Sequence, residues 1–285
     1  MKILLTGSSG FFSKELIKNI SLNKKNKLFC LTRKKKYIKN IKFWCLDLSK
    51  KKLNSMPKKL NFDIIIHSAF VRRKKNLNYK TLESNYNITK NLISIIKANR
   101  FKKFINLSSA SLYPNKDGKY SETSELNFFQ NSDKIYGISK YFSELMFNLH
   151  LNKKKILHLR IGNVIGNDTD NSIVSQMKKD LKKKNIIEIY GSGQRVLNLI
   201  HIQKLIKYIF LITRNNTQGI FNLCDYSINT KQIAKLIKIK YGQKNSKIKL
   251  NNSHKKNPKF YLNTNKFFNL VKIQRPNNKE LLNEI

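Results

Sequence analysis

Lys2-Ile3-Leu4-Leu5-Thr6-Gly7-Ser8-Ser9-Gly10-Phe11-Phe12-Ser13 is the stretch that decides the fold. Its apolar run Ile3-Leu4-Leu5 reads as a short strand and its Gly-Ser segment as a tight turn. Leu16, Ile17 and Ile20 then fall at helical spacing. Gly7 can take a backbone angle closed to other residues, and Gly10 lets the chain come close to a ligand. The helix that follows offers unpaired N–H groups and a positive dipole end, to which a phosphate group, and so a dinucleotide, is drawn. Ser13 stands where such turns commonly carry a third glycine, and it is small enough for helix and strand to pack closely. A purely structural turn would look the same, since glycine-rich strand-to-helix turns serve many folds. The segments that follow decide between the two.

Lys27-Leu28-Phe29-Cys30-Leu31 reads as a second strand ending in Thr32-Arg33, roughly 20 residues past the glycines, where a ribose-reading residue is expected. No carboxylate stands there. An acidic side chain would bind a ribose 2′-hydroxyl and repel a 2′-phosphate, whereas Thr32 and Arg33 could hold the phosphate, which leans the cofactor reading from NAD toward NADP. The same Arg33 also opens the lysine run Arg33-Lys34-Lys35-Lys36, a solvated face. Asp47 follows Phe43-Trp44-Cys45-Leu46, a third strand, and is placed to reach an adenine.

With these segments in view, the chain resembles the extended short-chain dehydrogenase/reductase family, of the NAD-dependent epimerase/dehydratase type that acts largely on nucleotide sugars. The resemblance runs nearly end to end. Asp47-Leu48 looks like the family's adenine-contact motif. Ile64-Ile65-Ile66-His67-Ser68-Ala69 looks like its fourth strand, with small residues flooring the cofactor. Asn85-Tyr86-Asn87-Ile88-Thr89-Lys90-Asn91 resembles a family helix, with Ile88 in place of glycine. Phe104 to Tyr113 resembles the strand that delivers the catalytic serine, and alignment on Tyr113 puts that role on Ser109. Arg160 to Gly166 and Gly219 to Leu223 match two later segments. The resemblance implies a cofactor site made of Gly7, Ser9, Gly10, Phe11, Phe12, Arg33, Asp47, Leu48, Ser68, Ala69 and Lys140. It also implies a homodimer formed through two helices.

Tyr136-Gly137-Ile138-Ser139-Lys140 completes the chemistry. Four residues apart on a helix, Tyr136 and Lys140 share one face, with Cβ atoms about 5 to 6 Å apart. A tyrosine ordinarily ionises near pH 10, and a neighbouring ammonium favours its phenolate, which brings it within reach of acid–base work at neutral pH. Lys140 could also bridge nicotinamide ribose hydroxyls. Ser109, at the carboxyl end of a parallel strand, would hydrogen-bond the substrate oxygen and steady its developing charge. Hydride transfer at a sugar carbon is the implied event, with Tyr136 moving the hydroxyl proton. Each piece alone is ordinary: Tyr-x-x-x-Lys recurs by chance in a chain this rich in both residues, and Ser-Ser after an apolar run is often a turn or cap. The force lies in their order. His67 reads as a packed residue near the cofactor, outside the catalytic set.

With 285 residues, 40% of them hydrophobic, the chain can bury one large core. No apolar stretch approaches the roughly 20 residues that span a bilayer, and Met1 leads directly into the first strand, so a cytoplasmic protein is expected. Cys30, Cys45 and Cys224 all fall in strands expected to be buried, and they lack metal-ligand spacing. Neither disulfides nor a metal site is expected. The net charge of +42 is mostly lysine spread along the whole chain, with runs such as Lys50-Lys51-Lys52 and Lys182-Lys183-Lys184 on solvated faces. Such a field attracts nucleic acid at low salt without specificity, and it would welcome a diphosphate-bearing substrate.

The order of segments predicts an α/β protein, a doubly wound parallel (Rossmann) sheet with a small C-terminal substrate-binding lobe. Strands are expected near residues 2 to 6, 27 to 31, 42 to 46, 63 to 67, 103 to 108 and 156 to 160, with helices between. The dinucleotide-binding core is expected over 1 to 165 with a return segment near 197 to 225, and the smaller lobe over 166 to 196 and 226 to 285. A helix is expected from Ser172 to Lys184 and a strand over Ile186-Ile187-Glu188-Ile189-Tyr190. Gln194 to His201 resembles the family segment that returns toward the sheet, with Leu197-Asn198 where the family has Arg-Asp and Lys204 where it has aspartate. Arg195 and Asn163 are the remaining candidates for substrate phosphate. The leading function is a nucleotide-sugar epimerase or 4-keto reductase. A dehydratase needs a further acid and base beside the trio, and the segment after Ser109-Ala110 offers neither Asp-Glu nor Glu-Lys. A non-catalytic NAD(P)-binding regulator, or an RNA-associated member of the same fold, is the alternative.

Overall fold

In a computed structural model of the chain, all residues are described except 22–24, 35–36, 54–55, 72–78, 131–133, 167–171, 215–216 and 252–257. From the N-terminus the elements are β1 (Lys2–Thr6), α1 (Phe11–Ser21), β2 (Lys27–Thr32), β3 (Ile41–Cys45), β4 (Asn61–His67), α2 (Tyr79–Lys97) and β5 (Arg100–Ser109). Next come β6 (Gly118–Tyr120), α3 (Lys134–His150), β7 (Ile156–Ile161), β8 (Asn163–Ile165), α4 (Ile173–Lys184), β9 (Ile186–Tyr190) and β10 (Val196–His201). The last are α5 (Ile202–Arg214), β11 (Gly219–Leu223), β12 (Tyr226–Asn229), α6 (Thr230–Tyr241), β13 (Lys247–Asn251), β14 (Phe260–Leu262), α7 (Asn265–Val271) and α8 (Leu281–Glu284).

Seven strands form one parallel sheet in the order β11-β7-β5-β4-β1-β2-β3. The order reverses between β1 and β4, which is where ligands bind in doubly wound sheets. Leu4 lies opposite Phe29 on one edge and Ile65 on the other, and every β1 residue after Lys2 is buried, so side chains on both faces are covered. Enclosure on both faces explains why these strands read as continuous apolar runs rather than alternating ones.

Two compact units divide the chain. One comprises Met1–Leu112, Asn131–Arg160 and Ile212–Ile220, and the other Tyr113–Gln130, Ile161–Leu211 and Phe221–Ile285. The first packs Leu4, Ile65, Ile88, Leu92, Phe104 and Phe147 into its core. The second has its own core around Met177, Ile187, Leu199, Tyr226 and Ile233. Its strands pair as β12-β10-β8, β13-β9 and β14-β6. The Ser172 to Lys184 helix begins with Ser172 as its N-cap, accepting from the Ser175 amide, and ends at Asn185 in the left-handed region. Among the described residues no helix is long and apolar enough to cross a membrane.

The cysteine expectation needs correction. Cys30 and Cys224 are buried, but Cys45 is exposed. It ends β3, which among the described residues is the last strand at one edge of the sheet. Cys224 lies one residue past β11 rather than within a strand.

Candidate active site

The glycine turn closes as its residues require. Gly7 has a φ of 73°, and the Gly10 amide donates to the Gly7 carbonyl at 3.0 Å. Helix α1 starts at Phe11, and its first recurrent bond runs from Lys14 N to Gly10 O at 3.0 Å. The amides ahead of that bond are the ones a helix leaves for an anion. Ser9 and Gly10 are exposed, and Phe11 and Phe12 half-buried. Ser13 Oγ lies 2.7 Å from Ser68 Oγ, and Ser68 donates to the Thr6 carbonyl at 2.8 Å. A serine in the third glycine's place therefore ties α1 to the end of β4. Cβ atoms at Gly7 would strike Ala69, so turn and strand end are in backbone contact. The turn, the small residues Ser68 and Ala69 and the open α1 amides fit the phosphates of a dinucleotide.

Thr32, at the end of β2, is buried and accepts from the Lys34 amide at 3.4 Å, whereas Arg33 is exposed. Asp47 is half-buried and holds both the amide and the hydroxyl of Ser49, at 3.0 and 2.7 Å. Leu48 sits in the core, and its carbonyl accepts from Asn91 Nδ2 at 2.9 Å.

The structure brings Tyr136 and Lys140 together on α3. Lys140 is buried, with Nζ 5.8 Å from the Tyr136 ring centre and 4.4 Å from that of Phe70. Phe70 meets the Tyr136 ring edge to face at 5.0 Å. The Lys140 ammonium donates to the Leu107 carbonyl at 2.7 Å, two residues before Ser109. Ser109 closes β5, and its Oγ accepts from the Ser111 amide and donates to Ser111 Oγ, both at 3.1 Å. Behind it, Ser108 donates to Glu144, which is paired with Arg160. Sequence reasoning passed over that network; its one visible sign is a carboxylate four residues after Lys140.

Asn163 and Arg195 lie in the second unit, both exposed. Asn163 opens β8 and donates to the Asn198 carbonyl at 3.3 Å. The Arg195 carbonyl accepts from the Thr230 amide at 3.0 Å.

His67 is packed, with Nδ1 2.7 Å from Thr6 Oγ1 and its ring against Phe104 and Phe147. Burial, reinforced by the Lys140 charge, pushes its imidazole down to about 3. His158 is likewise pushed down to about 4 by burial, with Glu144 opposing and Arg160 assisting. A free histidine protonates near pH 6.5, so between there and pH 4 the unfolded chain binds protons that these two native side chains refuse, and stability falls as pH falls. At pH 5 each costs about 2 kcal/mol. Asp225, pushed up to about 6 by burial, works the other way and returns roughly 1 kcal/mol at that pH. We expect the urea midpoint to decline steadily from pH 7 to 5 and His158→Gln to remove about two thirds of the decline. A midpoint flat across that range would contradict the buried, neutral state of both rings.

Residues 3–224 match the NAD dependent epimerase/dehydratase family. The dTDP-D-glucose 4,6-dehydratase of Dictyostelium discoideum is 25% identical over 265 residues, which cover 83% of this chain and 61% of that protein. The chain thus spans less than two thirds of that relative's length. Among solved structures, the UDP-glucuronic acid 4-epimerase of Bacillus cereus in complex with UDP-glucuronic acid and NAD has a TM-score of 0.80 at 19% identity, covering 100% of this chain and 96% of the other. The dTDP-glucose 4,6-dehydratase of Bacillus anthracis in complex with NAD has a TM-score of 0.77 at 15% identity, covering 100% and 95%. These low identities speak for the shared doubly wound fold. The match over residues 3–224 takes in the glycine turn, the serine strand and the Tyr-x-x-x-Lys helix, and it settles the kinship: the chain belongs to the NAD-dependent epimerase/dehydratase family.

Proposed function

We propose that the chain is an NAD(P)-dependent nucleotide-sugar epimerase or 4-keto reductase working through Ser109, Tyr136 and Lys140. The observation that carries this reading is the bond from Lys140 on α3 to the Leu107 carbonyl, which draws the Tyr-x-x-x-Lys helix to the strand end bearing Ser109. A bound dinucleotide supplies the hydride chemistry. Tyr136 takes up and returns the sugar hydroxyl proton, Ser109 hydrogen-bonds the same oxygen, and Lys140 holds the ribose hydroxyls. Gly7, Ser9, Gly10, Phe11 and Phe12 hold the pyrophosphate, Asp47 and Leu48 the adenosine end, and Ser68 and Ala69 floor the site. Asn163 and Arg195 are carried as substrate phosphate contacts on their exposure and donor chemistry.

Ala110 and Ser111 lack the acid and base that elimination of water requires, and Ser111 is engaged with Ser109. This favours epimerase or reductase over dehydratase. Between cofactors we take NAD, which both solved complexes contain. Of the pair Thr32-Arg33, Thr32 is buried and Arg33 is exposed to read a 2′-phosphate. For assembly we propose a homodimer through α2 and α3: Tyr141, Leu145 and Leu149, four residues apart on α3, and Tyr86 on α2 are exposed apolar side chains.

The test begins with protein freed from nucleic acid in high salt. Acid extraction is expected to release NAD, and incubation with UDP-glucose, UDP-glucuronic acid and dTDP-glucose to give an epimer of one of them. Sizing of the same preparation is expected to give a dimer; a monomer overturns the assembly. Exchangeable NADPH bound more tightly than NADH would instead mark a reductase read by Arg33. Failure to bind any of these dinucleotides overturns the enzyme reading and favours a non-catalytic regulator or an RNA-associated protein.

A further inference from the structure

Three polar residues of α3, spaced four apart on one face, reach the end of β5. Lys140 takes the Leu107 carbonyl at 2.7 Å. Glu144 accepts the Ser108 hydroxyl. Asn148 reaches Asn106 through His158: Asn106 Nδ2 lies 3.1 Å from His158 Nδ1, and His158 Nε2 lies 3.1 Å from Asn148 Oδ1. Successive strand residues 106, 107 and 108 are thus each claimed by one turn of the helix, immediately before Ser109. His158 and Arg160, two apart on β7, complete the seam from the same strand face. Arg160 grips Glu144 twice, from Nε to Oε1 at 3.2 Å and from Nη2 to Oε2 at 2.8 Å. Both side chains are 3% exposed.

We infer that the Glu144–Arg160 pair is a positioning device for the trio: acting through Ser108, it fixes the end of β5 against α3 and so sets where Ser109 stands relative to Tyr136 and Lys140. The inference rests on the assignment of the trio proposed above. Stability alone does not account for the pair, since apolar residues of similar volume commonly hold a fold as well as a buried ion pair does. An apolar pair could not direct a hydroxyl. Glu144 has four lone-pair sites to fill, and Arg160 covers only one side of the carboxylate with its fork. The Ser108 hydroxyl takes part of what remains, at the residue next to Ser109. Glu144 and Ser108 are therefore positioning residues, acting on the reaction only through Ser109.

Ser108→Ala is the discriminating variant. It removes the hydroxyl, leaves the ion pair whole and adds no bulk. Misplacing a reacting group by about 1 Å can cost on the order of 100-fold in rate. We expect kcat on the nucleotide sugar turned over by the wild type to fall 10- to 100-fold, with KM and NAD affinity within about twofold and the melting midpoint lowered by only a few degrees, the effect of one hydrogen bond lost from a buried carboxylate. A crystal structure of the variant with NAD should show Ser109 Oγ displaced by about 1 Å. Glu144→Asp, which keeps the charge on Arg160 but withdraws the carboxylate from Ser108, should lower kcat to a similar degree and not add to Ser108→Ala. Ser109 unmoved in the crystal, or wild-type kcat in Ser108→Ala, overturns the positioning role. So does a fall in kcat that merely tracks a fall in stability. Tyr136→Phe measured beside it separates the two claims: activity lost there but kept in Ser108→Ala overturns this inference alone, and activity kept in both overturns the trio.

Discussion

Tyr136→Phe is expected to lower turnover by about 10³-fold while leaving folding and NAD binding unchanged. General acid–base groups contribute roughly 10²- to 10⁴-fold, and a phenyl ring cannot carry the proton. The substitution is well suited to the question because the ring itself is held by packing. Tyr136 is half-buried, meeting Phe70 edge to face at 5.0 Å with the Lys140 ammonium nearby. Phenylalanine keeps both contacts, so the unfolding midpoint should shift by less than about 1 kcal/mol equivalent. Lys140 retains its bond to the Leu107 carbonyl, which does not pass through the phenol. The measurement is steady-state conversion of the nucleotide sugar beside NADH fluorescence titration. Turnover within tenfold of wild type would remove Tyr136 from the chemistry. Lost turnover together with lost NAD binding would instead assign the residue to the cofactor site.

How much of this was readable in advance varied with the physical setting of each residue. Inner strands of a parallel sheet are apolar on both faces, so β1, β2 and β4 stand out as runs of Ile, Leu and Phe. The strand β5 begins at Arg100, earlier than the expected start near residue 103, because Arg100 and Lys102 interrupt the apolar run that marks its later part. Lys103 is in fact buried, its ammonium held by the Thr217 carbonyl and its pKa lowered by desolvation. A lysine satisfied by a carbonyl far along the chain leaves no local signature. Cys45 failed for the opposite reason, since nothing in Phe43-Trp44-Cys45 reveals that its strand is an edge.

The site shows the same divide. Tyr136 and Lys140 are legible because helical spacing joins them within the sequence. The Ser108–Glu144–Arg160 network is not, since its bonds span 36 and 16 residues. Asn198 is the most instructive case. Read as a family aspartate lost, it suggested a weakened phosphate site. In the fold its Oδ1 accepts from the Leu262 amide and the Ser227 hydroxyl, at 3.0 and 2.9 Å, while its Nδ2 donates to the Phe260 carbonyl at 3.0 Å. An ionised aspartate has no donor for that last bond. Asparagine at this position joins β10 to β14, a task that a comparison of residue letters cannot disclose.

Gly7→Ala should destabilise the protein by about 2 to 5 kcal/mol and abolish NAD binding. Two independent costs combine. A left-handed backbone, here a φ of 73°, costs a non-glycine residue about 1 to 2 kcal/mol. The added Cβ would lie 2.6 Å from Ala69 N, 2.7 Å from Ala69 Cα and 2.9 Å from the Ser68 carbonyl carbon. These are backbone atoms at the end of β4 and cannot rotate aside, and overpacking of this kind costs about 1 to 3 kcal/mol. Relief requires the turn to move away from Ser68 and Ala69, which breaks the Ser13–Ser68–Thr6 hydrogen bonds that seat α1. The amides at the start of α1 then lose the position that favours a pyrophosphate. Gly10→Ala is the informative companion, since its Cβ would meet only the Gly7 carbonyl oxygen, at an ordinary 3.4 Å. It should fold with a midpoint within about 1 kcal/mol of wild type. If a pyrophosphate lies against Gly10, that stable variant still loses NAD affinity by tenfold or more, because the methyl group occupies the approach. Wild-type affinity in Gly10→Ala would move the pyrophosphate elsewhere, and a wild-type midpoint in Gly7→Ala would contradict the contact between the turn and β4.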